Sequence, residues 1–393
     1  MPLSSDYMNR IFCLFLSCLL LLPVASAAVL PPPPTVAGTA WILLDADTGY
    51  VISEHNADER VPPASLTKLM TSYVLSSEIA AGRISDEDQV QVSENAWAQN
   101  PLFAGSSLMW IEPGKPVTVL ELHRGVVISS GNDATVAIAE HVAGTEDGFA
   151  DMMNAHAAAI GMTGTHYVNS HGLPHPEHYT SARDLALLAT ALINEFPEEY
   201  HLYQEREYTY NNIRQYNRNG LLAKDPTVDG LKTGHTEEAG YCLVASAKRN
   251  GMRLISVVLG ASSQSVREAE TRKLLSYGFR NYESLDLYAG GEELTTSRLW
   301  KGRQEQLALG IADPVRLTVP RGSRDELDAE MQLDKVIKAP ISAGDSYGQL
   351  LVRLNGDTLL ERPLVALESV EQANFFVRLW DGIKLFFIQL FSS

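Results

Sequence analysis

Cysteine is scarce in this chain, three in 393 residues, and cationic charge is in deficit, with 31 Lys and Arg against 48 Asp and Glu for a formal net charge of −17. So few cysteines exclude a scaffold stapled by several disulfides. The acidic balance would repel a phosphate backbone, so no nucleic-acid partner is expected. Anionic lipid would repel it too, unless some local segment overrides the overall charge. The sequence holds no G-x-S-x-G elbow, no H-E-x-x-H helix pattern and no glycine loop of the phosphate-cradling kind, which removes lipase-like, zinc-peptidase and nucleotide-dependent readings. There is no internal repeat, and no low-complexity tract beyond four prolines at 31–34. What is present in quantity is apolar side chain, 45% of residues, which excludes wholesale disorder. The length suggests two or three domains.

Residues 1–27 combine Arg10, an apolar run at 11–24 and Ala25-Ser26-Ala27. A basic residue, an apolar stretch of this length and an A-x-A site together describe a cleavable export signal; an uncleaved anchor is the alternative. Cleavage before Ala28 removes Cys13 and Cys18 and leaves Cys242, which sits in an apolar run and reads as a small core residue. Residues 28–38 form a proline-rich spacer. Strand-like runs at 39–44 and 50–53 flank Asp47-Thr48-Gly49, a hairpin signal. From 64 to about 194 the pattern is mostly helical, as at 117–143 and at 181–193, which Ser181 opens. Runs at 240–247 and 252–259 flank Asn250-Gly251, the strongest short hairpin signal, and 267–282 reads as an amphipathic helix. The order points to an α+β fold, an antiparallel sheet with helices on it. Beyond residue 285 short alternating runs appear at 315–319, 332–337, 349–354 and 358–367, marking a separate small all-β domain over 286–371.

Three short elements carry chemistry: Ser65-Leu66-Thr67-Lys68, Ser130-Gly131-Asn132 and Lys232-Thr233-Gly234. An S-x-x-K at a helix start puts Ser65 and Lys68 one turn apart on one face, within hydrogen-bond reach. A serine hydroxyl is a poor nucleophile until a base takes its proton. Lys68 can be that base if burial and a second ammonium, Lys232, lower its pKa. Pro62-Pro63 fix the entry to the helix, and the free N–H groups of its first turn point where an oxyanion would develop. Each element alone is a commonplace of helix starts and turns, but in this order and context they form the set shared by penicillin-binding proteins and class A β-lactamases. The middle element departs from the S-D-N of that set.

With flanking residues included, Pro63-Ala64-Ser65-Leu66-Thr67-Lys68-Leu69-Met70-Thr71, Ile128-Ser129-Ser130-Gly131-Asn132-Asp133-Ala134 and Asp229-Gly230-Leu231-Lys232-Thr233-Gly234-His235-Thr236 closely resemble the low-molecular-weight penicillin-binding proteins, the serine-type D-alanyl-D-alanine carboxypeptidases. S-G-N is usual in that family, which favours a carboxypeptidase over a lactamase. The resemblance runs through Asn169-Ser170-His171-Gly172-Leu173 and Tyr179-Thr180-Ser181-Ala182-Arg183-Asp184-Leu185 into the β domain and tail. It implies a β-lactamase/transpeptidase-like domain over 39–285 and no cofactor. It implies Ser65 as the residue acylated by a peptidoglycan stem peptide or a β-lactam, Lys68 as its base and Ser130 as proton relay to the leaving D-alanine. Asn132 would bond substrate, Lys232 would support the relay, and Thr233 with Gly234 would meet the terminal carboxylate. Ser65 and His235 N–H groups would form the oxyanion hole. Arg218 and Arg267 match family arginines near the carboxylate, and His171 would help to place the hydrolytic water. His171, His175, His178 and Glu177 suggest zinc only superficially, since Gly172, Pro174 and Pro176 make the segment a loop; no metal is expected.

In the tail, residues 375–391 are too short and too charged to span a bilayer. At 100° per residue, Phe375, Phe376, Leu379, Trp380, Ile383, Phe386, Phe387, Leu390 and Phe391 share one arc, with Arg378, Asp381 and Gln389 opposite and Lys384 at its margin. Residues 372–393 therefore read as an in-plane anchor helix, with packing on the β domain as the alternative. The resemblance agrees, placing such proteins on the periplasmic face of the inner membrane. A D,D-endopeptidase or a β-lactamase on the same scaffold, or a non-catalytic wall-binding protein, remain the competing readings.

Overall fold

The computed structural model describes residues 30–391, so the expected export signal lies outside the described residues. Five strands build the main sheet: β1 (Ala40–Asp45), β2 (Val51–His55), β3 (Val228–Thr236), β4 (Gly240–Arg249) and β5 (Met252–Ala261), in the order β2-β1-β5-β4-β3, every neighbouring pair antiparallel. The central strands read as continuous apolar runs because both sheet faces are covered. Along β1, Ile42 and Leu44 join one core cluster while Trp41 and Leu43 join another on the opposite face. The β4–β5 turn has Asn250 and Gly251 at φ +51° and +81°, the double left-handed geometry that Asn-Gly supplies for a two-residue hairpin.

One face of the sheet packs on α5 (Gln264–Asn281), through Leu274, Leu275 and Phe279. The other carries the helical subdomain: α1 (Thr67–Ala80), α2 (Asn132–Ala143), α3 (Glu146–Ile160) and α4 (Ala182–Glu195). Ser181 caps α4 by accepting from the Asp184 N–H, as its place in the sequence suggests. The middle of the chain is less helical than its apolar pattern. Between Ala80 and Val119 it forms short strands and turns rich in Gly and Pro, and 161–181 is a loop. Helical signal there is apolar content without continuous period. The spacer also ends earlier than expected. Val36 is buried in the second core cluster and Lys273 Nζ donates to the Thr35 carbonyl at 2.9 Å, so residues 35–38 belong to the folded body.

From α5 to residue 366 the chain is strand apart from a 3-10 turn at Arg324–Glu326: β6 (Tyr282–Tyr288), β7 (Glu293–Trp300), β8 (Gln306–Gly310), β9 (Val315–Pro320), β10 (Leu327–Leu333), β11 (Ile337–Lys338), β12 (Ser346–Leu354) and β13 (Asp357–Ala366). β6 pairs with β9, and a six-stranded sheet runs β10-β12-β13-β8-β7-β11. The expected single run at 332–337 is two strands, because β10 ends at Leu333 and Asp334 turns to bond the Tyr347 carbonyl. Where β1 meets this domain, the wholly buried Asp45 accepts from the hydroxyls of Thr318 (2.7 Å) and Ser284. Arg316 reaches across to the Gly251 carbonyl at 2.6 Å.

The tail is α6 (Phe375–Phe391), and it settles with its polar flank inward. Asp381 and Leu385 are buried, and Asp381 Oδ2 accepts from the Lys301 N–H at 2.7 Å. The aromatic arc is left outside, with Phe376 79%, Trp380 60% and Phe391 83% exposed. The helix therefore both packs on the β domain, through Asp381 and Leu385, and keeps its apolar face free.

Candidate active site

Ser65 sits in the 3-10 turn Ala64–Leu66 that feeds α1. The turn is entered through Ala64 at φ +48°, a left-handed angle that alanine rarely takes. Its carbonyl is held from two sides. Thr67 Oγ1 donates to the Ala64 oxygen at 2.8 Å and in turn contacts His178 Nε2 at 2.8 Å. His178 Nδ1 accepts from the Val168 N–H at 3.0 Å, so the proton lies on Nε2 and the chain runs Val168 to His178 to Thr67 to Ala64. Gly172 (φ +89°) closes on the same carbonyl so tightly that a Cβ there would lie 1.8 Å from it. His178 is thus a neutral brace for the turn that carries Ser65. Burial holds its pKa down, at about 4, with the neighbouring His166, His175 and Lys68 adding to the effect.

Lys68, one turn later and 1% exposed, makes three contacts: Asn132 Oδ1 at 2.7 Å, the His171 carbonyl at 2.7 Å and Ser65 Oγ at 3.2 Å. Their chemistry orients the amine. Asn132 Oδ1 and the His171 carbonyl only accept, so a neutral amine spends its two protons on them and turns its lone pair to Ser65 Oγ. The amine is held near neutrality: burial lowers its pKa to about 7, Asp133 opposing and Arg218 assisting. The cation acting on Lys68 is therefore Arg218, whereas Lys232 is itself pushed well below the usual lysine range, by burial first and then by Lys68, Arg218 and Arg267.

Ser130 follows a π-helical turn, Gly125–Ser129, and adopts a left-handed φ of +61°. Its hydroxyl accepts from Lys232 Nζ at 2.9 Å; Lys232 also reaches the Thr233 carbonyl at 3.2 Å. The glycine of S-G-N is explained by contact rather than dihedral. Gly131 has an ordinary φ of −64°, but a Cβ there would lie 2.8 Å from both Met109 N and Asp133 Oδ1. Asp133 clamps this crossing, accepting from the N–H groups of Met109 (2.8 Å), Trp110 (2.8 Å), Ile111 (3.2 Å) and Ala134 (2.9 Å). Only its place beside Asn132 in the motif marks it in the sequence.

The third element lies on β3, an edge strand whose outer rim is open. It passes so near the Ser65 turn that a Cβ on Gly234 would sit 3.1 Å from the Pro63 carbonyl oxygen and 3.3 Å from Leu66 N. A cavity of about 340 Å³ gathers Ser65, Ser130, Asn132, Thr233, Gly234, His235, Arg218 and Arg267. Lys68 and Lys232 lie behind it, bonded to Ser65 and Ser130. Arg267 is 4% exposed, with Nη1 3.5 Å from the Gly234 carbonyl, Nη2 3.5 Å from that of Arg218, and a buried Nε without a protein acceptor. Arg218 itself is exposed on the rim. Thr236, the last residue of the third motif segment, also lines the space, as do Ser106, Ser107, Tyr241 and Gln264, which carry no signal in the sequence. His171 reaches the cavity too, but its Nδ1 accepts from the Leu173 N–H at 3.0 Å and its Nε2 faces Glu146 Oε1 at 3.3 Å. Both ring nitrogens are occupied, so the expected water-placing role does not follow from its geometry. His175 and Glu177 stay on the surface of their loop. Cys242 is buried in the core, its thiol 3.4 Å from the Ala239 carbonyl.

The arrangement suits acyl transfer: a serine with a neutral amine as base, a second serine backed by a depressed lysine, and an arginine-lined end for a carboxylate. Comparison with known proteins points the same way. Residues 27–263 match the family described as D-alanyl-D-alanine carboxypeptidase, and residues 282–372 match the C-terminal domain of penicillin-binding protein 5. The chain is 44% identical to the D-alanyl-D-alanine carboxypeptidase DacA of Escherichia coli, over 93% of this chain and 91% of that one. Its fold overlays penicillin-binding protein 5 of Haemophilus influenzae with a TM-score of 0.84 at 40% identity, covering 87% of this chain and all of the other. It also overlays penicillin-binding protein D2 of Listeria monocytogenes in its ampicillin-bound form, with a TM-score of 0.56 at 30% identity over 63% of this chain and 100% of that one.

Proposed function

Because the chain belongs to the D-alanyl-D-alanine carboxypeptidase family, we propose that Ser65 is its nucleophile and Lys68 the base that activates it. The protein is a serine-type D-Ala-D-Ala carboxypeptidase of the low-molecular-weight penicillin-binding class, a hydrolase that removes the terminal D-alanine from peptidoglycan pentapeptides. The observation that supports the assignment of roles is the lone pair that two obligate acceptors leave Lys68 to direct at Ser65.

In acylation Ser65 Oγ attacks the carbonyl carbon of the penultimate D-alanine while its proton passes to Lys68. The oxyanion is met by the backbone N–H groups of Ser65 and His235, between the nucleophile turn and the rim of β3. As the C–N bond breaks, Ser130 relays to the departing amine the proton that Lys68 took, which returns Lys68 to its neutral form, and Lys232 steadies the relay. Asn132 keeps its amide N–H groups for substrate, since its oxygen is taken by Lys68. Thr233 and Gly234, with Arg218 and Arg267, hold the terminal carboxylate. Water then cleaves the ester, with Lys68 again the base, and β-lactams enter the same acylation. Peptide mapping after benzylpenicillin treatment tests the assignment: the adduct falls on the peptide that contains Ser65, and an adduct elsewhere refutes it.

The domain reading is likewise ours: an export signal at 1–27, the peptidase domain over 39–285, a β domain over 286–371 that holds the site off the membrane, and an anchor at 372–393. Among the described residues no helix is long and apolar enough to cross a membrane. The exposed aromatic face of α6 supports instead a peripheral seat on the periplasmic face of the inner membrane. Deleting 372–393 then yields a soluble enzyme with full D-alanine release, and continued sedimentation with membranes refutes the anchor.

A further inference from the structure

We propose that the cleft between Lys301 and the first turns of α6 binds the phosphate of an anionic phospholipid headgroup. This rests on the membrane seat proposed for α6 and gives that seat a lipid chemistry. The cleft, about 300 Å³, is lined by Lys301, Gln372, Phe375, Arg378 and Leu379: two cations and no carboxylate. In a chain of net charge −17 such a place stands out, because the body as a whole is repelled by anionic lipid.

Lys301 is held where it is by the tail. Its φ is +61°, the left-handed region that side chains other than Gly and Asn seldom enter. Its N–H donates to the buried Asp381 at 2.7 Å, and its carbonyl accepts from the Ala373 N–H at 2.8 Å. Docking of α6 thus fixes both backbone groups of Lys301 and sets its side chain beside the helix. Arg378 is steadied by a neutral acceptor, Gln372 Oε1 at 2.5 Å, which leaves its charge uncompensated. Nearby arginines differ: Arg303 is taken by Glu371 at 2.8 Å, and Arg298 faces Asp381 at 4.0 Å.

The rim selects the source of the phosphate. Phe375 and Leu379 are 62% and 52% exposed on the helix face that carries the other free aromatics. When that face enters the acyl boundary, the flank bearing Arg378 lies at headgroup level. A ligand with a phosphate beside acyl chains fills both parts, while a soluble anion uses only the cations. The pair also supplies a second contact that stops α6 rolling about its own axis, which fixes the direction in which the β domain stands from the surface.

The test uses the full chain and two vesicle compositions: phosphatidylcholine alone, and three parts phosphatidylcholine to one part phosphatidylglycerol. Wild type partitions more tightly onto the anionic vesicles. The double variant Lys301→Gln/Arg378→Gln loses about 30-fold of that preference, about fivefold per cation, while its binding to neutral vesicles is unchanged. Arg303→Gln, whose charge is already paired, keeps most of it. D-alanine release from a soluble peptide shows that each variant is folded. Equal partitioning of wild type onto both vesicles, or full anionic preference in the double variant, overturns the site. Failure of wild type to bind either vesicle overturns the anchor reading beneath it.

Discussion

Raising the pH from 6 to 8 carries Lys68 through its pKa of about 7. With a pKa of about 7, the amine is neutral in about one molecule in eleven at pH 6 and in about ten of eleven at pH 8. The rate constant for acylation by benzylpenicillin, whose carboxylate stays ionised throughout, should therefore climb about tenfold over that interval and then level off. A lysine with the ordinary value near 10.4 would give about a hundredfold rise with no plateau. Stopped-flow acylation under single-turnover conditions reads this directly. Arg218→Gln supplies the sign test. The guanidinium disfavours the Lys68 ammonium, so removing it raises the pKa and moves the ascending limb to higher pH. A plateau already reached at pH 6, or a limb that moves down in Arg218→Gln, would refute the reasoning.

Stability should carry the same signature. Because the folded pKa of Lys68 is depressed, the unfolded chain binds more protons between pH 7 and the ordinary lysine value, so this residue's contribution to stability rises with pH over that window and is flat below it. Lys68→Met removes the titration, and its advantage in thermal denaturation over wild type should be larger at pH 7 than at pH 9.5; an equal difference at both counts against a buried depressed amine. Thr67→Val keeps the shape but breaks the link from His178 to the Ala64 carbonyl, so acylation should slow about tenfold or more with little change in noncovalent affinity, and Thr67→Ser should restore it. Gly131→Ala presses a methyl against Met109 and Asp133, which should cost about 1–3 kcal/mol and lower the midpoint by several degrees. An unchanged melting curve there would mean that the contact relaxes freely.

Much of the site was legible because its residues lie in short local patterns. Ser65 and Lys68 are tied by one helical turn, so their pairing follows from local spacing, and Lys232-Thr233-Gly234 is legible as a short motif. The order of the three elements then suggests their convergence, which the bonds from Lys68 to Asn132 and from Lys232 to Ser130 realise over 64 and 102 residues of separation. The β4–β5 hairpin is legible for a similar reason, since Asn250-Gly251 supplies the paired positive φ that a tight turn needs. The contributions that sequence hid are those made by backbone and by distance. The His171 carbonyl that takes a proton of Lys68, the Asp133 clamp on residues 109–111 and the His178–Thr67 brace leave no periodic trace. In the β domain, β6 and β7 are not marked by the sequence pattern because their half-buried faces carry mixed polar residues, and β8 because it is only five residues long. The tail showed its apolar arc plainly but not its docked side, because a buried Asp381 looks solvated until the Lys301 N–H is seen to meet it.

The claim on which everything turns is that Ser65 is the acylated residue. D-alanine release from a peptide ending in D-Ala-D-Ala, measured side by side for wild type and Ser65→Ala with fluorescent-penicillin labelling of both, tests it most directly. The account predicts steady release and a labelled band for wild type, and neither for Ser65→Ala in a protein whose melting temperature is essentially unchanged. Labelling that persists in Ser65→Ala, or release at a comparable rate, would contradict it.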